Sequence, residues 1–132
     1  MSDNKIIKLV KDKIDTPTWK IHGVIDNPDA NGRVYHTHGM GMYDSLELEL
    51  NLPLSLEDAM PILNAIGMKI ANGKVLKENE LINGILMCPF IVKKVKGICK
   101  RDVDILRVIV PDEKGNFPWD EECEDIYNKQ LG

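Results

Sequence analysis

Aromatic side chains are scarce: two Trp, three Tyr and two Phe make up 5% of 132 residues. A core built from this chain is therefore mostly aliphatic. Cysteine is scarcer still. Cys88, Cys99 and Cys123 are odd in number, widely spaced and without a C-x-x-C pair, which argues against a disulfide framework and reads as three reduced, half-buried thiols. Nothing near them signals a lowered thiol pKa. Long apolar runs are missing, none approaching the roughly 18 residues that span a bilayer, and the opening Met-Ser-Asp-Asn-Lys holds no apolar stretch of a secretory signal. The expectation is a cytoplasmic protein with no membrane partner. Excess positive charge is missing too: the net charge is −4, against nucleic acid as a partner, since polyphosphate binding needs clustered cations. The cations that do gather, Lys93, Lys94, Lys96, Lys100 and Arg101, fit an edge strand kept from aggregating by lysine. Repeats, low-complexity tracts and domain-dividing linkers are absent, so residues 1–132 read as a single domain.

What is present is patterned. Ile6, Ile7, Val10 and Ile14 form an apolar stripe opposite lysines, the mark of a short helix over residues 5–14 within an N-terminal extension, 1–16. Residues 19–25 alternate as a strand, with Trp19, Ile21, Gly23 and Ile25 on one side and Lys20, His22 and Val24 on the other. Turn chemistry fills 26–32, and Asn31-Gly32 suits a hairpin that returns the strand 33–38 antiparallel on the first. Residues 46–50 form a further strand, with Leu46, Leu48 and Leu50 expected to be buried and Glu47 and Glu49 wet. Ser55 opens the main helix, 55–72, whose core stripe is Ala59, Leu63, Ile66 and Ile70 and whose stop is Asn72-Gly73. Strands follow at 89–95 and 104–110, the second apolar enough to lie inside a sheet. Phe117-Pro118-Trp119 reads as a plug locking the tail to the core, and residues 120–131 as a short acidic helix held by Ile126, Tyr127 and Leu131. The fold expected is α+β: a mainly antiparallel sheet of about five strands with the 55–72 helix on one face.

The chemistry concentrates in Arg33-Val34-Tyr35-His36-Thr37-His38-Gly39-Met40-Gly41-Met42-Tyr43. Alternation puts His36 and His38 side by side on one face, away from Tyr35 and Thr37. Two imidazoles so placed can share one divalent metal such as zinc, with His22, Asp44, Glu47 or Glu49 as a third ligand, or bond to backbone and carboxylate and brace the turn. Gly39 and Gly41 imply a positive φ or the close approach of a backbone or ligand. The candidate ligand-binding set is His36, His38, Gly39, Met40 and Tyr43; the candidate metal set is His36, His38 and His22. The Gly-Met-Gly segment is no phosphate loop, since it lacks Gly-Lys-Ser/Thr and a following helix. Ser45 has no assigned base and is no evident nucleophile.

The His-Thr-His-Gly core, the 46–50 strand, Ile62-Leu63-Asn64, Gly73, Leu106-Arg107-Val108-Ile109-Val110-Pro111-Asp112 and Gly115-x-Phe117-Pro118-Trp119-Asp120 together resemble the DUF4262 family over residues 18–130. That resemblance implies a soluble bacterial protein without an assigned activity. Gly39-Met40 followed by Leu46-Glu47-Leu48-Glu49-Leu50-x-Leu52-Pro53 is similar to the suppressor-of-fused superfamily, whose bacterial relatives include proposed toxin-immunity proteins. The leading expectation is a noncatalytic binding or interaction module with a cleft at His-Thr-His-Gly, its partner a protein or a small molecule. The alternatives are a small metal-dependent enzyme and a toxin-immunity-like protein. An edge strand offers a route to a homodimer.

Overall fold

The computed structural model describes residues 16–25 and 30–131; the helix expected over 5–14 and residues 26–29 of the turn lie outside them. Among the described residues five strands make one sheet: β1 Lys20–Ile25, β2 Arg33–His38, β3 Leu48–Leu50, β4 Ile91–Lys96 and β5 Asp104–Ile109, in the order β1-β2-β3-β5-β4. Three of the four pairings are antiparallel, but β3 and β5 run parallel, so the sheet is mixed. A parallel neighbour cannot be reached by a tight hairpin. Between β3 and β5 the chain passes through the helix α1, Leu56–Ala71, and through β4. The lysine-bearing β4 is an edge strand, as its charges foretold.

Helix α1 starts where Ser55 accepts a hydrogen bond from the Asp58 amide. It runs through Pro61, which cannot bond back to the Glu57 carbonyl. It stops at Gly73, φ +101°, where the Gly73 amide bonds the Ile70 carbonyl and the Lys74 amide the Lys69 carbonyl, a Schellman ending. Ala59, Leu63, Ile66 and Ile70 are buried as the stripe predicts, against Tyr35, Leu48, Leu50, Val92 and Val108 of the sheet. Trp19 closes one end of this core, its indole N–H bonded to the Asn64 side chain at 2.9 Å.

The opposite face of the sheet is also partly covered, which corrects the expected alternation. Glu49 is 2% exposed, not wet, and Leu46 is 36% exposed. Glu49 faces away from α1, and that face has its own small core of Val34, Ile91, Ile98, Ile105 and Ile109. The loop after β4 folds over it, and the C-terminal segment is tied along its margin. The C-terminal helix is shorter than expected, α2 Asp125–Asn128. Ile126 and Leu131 are exposed, and only Tyr127 of the three expected anchors packs on the core. The anchor is Gln130, fully buried, whose amide accepts from the Val110 N–H and donates to the Val110 and Tyr127 carbonyls. Its side chain does the work of a missing strand partner. Trp119 is no plug: it is 55% exposed and stacks on Phe117, with Lys93 over its ring.

Candidate functional site

Antiparallel pairing of β1 and β2 sets His22 directly opposite His36, and the two-residue period puts His38 on the same face. The three rings meet. Centroids lie 4.4 Å apart for His22 and His38, 4.7 Å for His36 and His38, and 5.7 Å for His22 and His36. His36 Nε2 and His38 Nε2 are 3.0 Å apart, a hydrogen bond in which one ring donates and the other accepts. His36 Nδ1 is buried and has no partner. Burial first, then His38, His22 and Lys100, hold the His36 pKa below its ordinary value, against an opposing pull from Glu47. His22 is exposed, while His36 and His38 are half-buried.

The same row continues across the sheet, from His36 to Glu49, Arg107 and Lys93. Glu49 and Arg107 form a buried ion pair, with Arg107 Nη2 and Nε at 2.5 and 2.8 Å from Glu49 Oε1. Glu49 Oε2 accepts from the Ile98 amide, and Arg107 Nη1 donates to the Leu131 carbonyl. This pair therefore binds both the β4–β5 loop and the chain's end. Its oxygens are committed. So are those of Glu47, which accept from Thr37 Oγ1 and from the amides of Gly39 and Met40. The amide pair that opens the Met40–Tyr43 3₁₀ turn thus faces a carboxylate of the chain itself.

The sequence-derived binding set divides. His22, His36 and His38 come together. Gly39 takes φ +121°, which side-chain-bearing residues rarely adopt, and a Cβ there would also stand tight, 3.2 Å from Trp19 Cα. Met40 is fully buried in the α1-side core. Tyr43 packs edge-on to Trp19 and bonds Thr18. A cavity of about 100 Å³ lies beside the histidines, lined by His36, His38, Glu47, Cys99, Lys100 and Ile105 among others. The sequence reading left out Cys99 and Lys100, which arrive on a loop more than 60 positions away in the chain; the lysine cluster was their only signal. A larger cavity, about 500 Å³, opens at the start of α1 between Leu54, Ile62, Leu86 and Tyr127. Its lining is mostly apolar, with Asp58, Cys88 and Tyr127 as the exceptions. The small one gathers two histidines, a carboxylate pair, a thiol and a lysine in its lining.

The model of the family described as "Domain of unknown function (DUF4262)" matches residues 13–124. No curated protein and no solved structure matches the chain, and none of the comparisons supports the similarity to the suppressor-of-fused superfamily.

Proposed function

The chain belongs to the DUF4262 family, and from that premise we propose that it is a noncatalytic binding module whose site is the histidine-lined hollow beside β1 and β2. The observation that carries this is the convergence of His22, His36 and His38, with the buried His36 Nδ1 left unpartnered. A buried polar atom without a partner costs about 1–3 kcal/mol, and structures seldom keep such a group without use. The hollow's size favours an ion or a ligand of a few atoms, far below the roughly 300–1,000 Å³ of a typical organic-ligand pocket. Nucleophilic chemistry is disfavoured. Burial, followed by the nearby Glu49 charge, pushes the Cys99 thiol up and away from thiolate, and Ser45 spends its hydroxyl on the Leu46 carbonyl.

Histidine ring signals followed by NMR test this reading against phosphate, acetate and zinc in turn. At least one probe shifts all three histidines together, and the remaining His22 signal stays unmoved by that probe in a His36→Ala, His38→Ala double variant. Rings indifferent to every probe would overturn it.

A further inference from the structure

Resting on that binding reading, we propose that the ligand is a divalent first-row transition metal of the zinc type, held by His22, His36 and His38 with one coordination position open to the adjoining cavity. Zinc takes imidazole nitrogens at 2.0–2.1 Å, so two ligands at a tetrahedral ion stand about 3.3 Å apart and their ring centroids about 5 Å apart. Here the His36 and His38 Nε2 atoms are 3.0 Å apart and their ring centroids 4.7 Å, with His22 next to both. The ion would replace the proton that His36 and His38 share. Among the described residues no group of three or more His, Cys, Asp or Glu is placed to hold a metal ion as it stands, so the site needs a rearrangement. His22 and His36 lie nearly parallel, 14° between planes, and His22 must swing to complete the set. It sits exposed on an edge strand, so that swing requires a rotamer exchange and no repacking.

The donor set decides the metal class. Three imidazoles suit zinc, copper and nickel and suit magnesium or calcium poorly. Neither neighbouring carboxylate is free to close the shell, since Glu47 is held by three donors and Glu49 by Arg107 and the Ile98 amide. The fourth position therefore faces the cavity that Lys100 lines, where water or a small anion fits.

Chelator-treated full-length chain, titrated with zinc and separately with cobalt(II), tests this. The expected result is one metal per chain and an intense, tetrahedral-type cobalt spectrum. Affinity falls by about 10-fold or more in His22→Ala, the scale on which metal sites respond even to loss of an outer partner, and further in His36→Ala and His38→Ala. No uptake by folded protein, a weak octahedral spectrum, or uptake unchanged in all three variants would each overturn the assignment. The His22 variant keeps the test open if the half-buried pair proves necessary for folding. Histidine signals that move with phosphate or acetate but not with zinc sink the metal and leave the binding reading standing; rings silent to all three probes remove both.

Discussion

Glu47, just before β3, and Glu49 within it are two residues apart; the first is half-buried and the second fully buried. Glu47 bonds the turn that follows β2, and Glu49 pairs with Arg107 where both side chains are at most 4% exposed. Removing one member of such a pair strands the other as an uncompensated buried charge, which costs about 3–5 kcal/mol. Against a typical total stability of roughly 5–15 kcal/mol, that is a large share. Glu49→Ala should lower the urea midpoint steeply, with the Ile98 amide also losing its acceptor. The double variant Glu49→Met, Arg107→Met should recover most of the loss, because no charge is then left buried. A double variant as unstable as the single one would mean that the ion pair is itself required to hold the loop and the chain's end.

Elements here are shaped by close approaches that side-chain propensity does not register. Glycine inside a helix costs about 1 kcal/mol relative to alanine, so Gly67→Ala looks stabilising from sequence alone. In the fold a Cβ at Gly67 would lie 2.6 Å from Trp19 Cζ2. The indole is buried and tethered to Asn64, so it cannot simply retreat. Gly67→Ala should therefore lower the thermal midpoint, by an amount equivalent to about 1–3 kcal/mol of overpacking, and should perturb Trp19 fluorescence. A raised midpoint would show that the contact relaxes freely. The helix itself was legible, its stripe, its Ser55 cap and its Asn72-Gly73 stop, because these signals are local and periodic. The C-terminal helix was not. Its apolar residues suggested anchors, but Gln130 bonds a backbone 20 residues earlier, and no local pattern marks a glutamine for that role.

For the molecule as a whole, acid stability depends on how its last quarter is fastened. Burial would raise the Asp112 pKa, but the amides of Asn116, Glu124 and Lys114 outweigh it and hold the carboxyl below its ordinary 3.8. Because the folded pKa is the lower one, the contribution is complete above pH 3.8 and disappears as pH falls through the folded value. Thermal midpoints of wild type and Asp112→Asn should differ at neutral pH and converge in that acid window; a difference constant with pH would rule this role out. The same bonds explain the Pro-Asp-x-x-Gly-x-Phe-Pro string as a carboxylate-closed turn whose Gly115 takes φ +88°. By itself the sequence determined the strands, the main helix, its buried stripe and the shared face of His36 and His38, because hydrophobic period and turn chemistry act over a few residues. Tertiary structure alone decided the parallel β3–β5 pairing, the burial of Glu49 with Arg107 and the arrival of Cys99 and Lys100 at the histidines. Those depend on which strands become neighbours and what folds over their second face, and both are set by contacts between residues tens of positions apart.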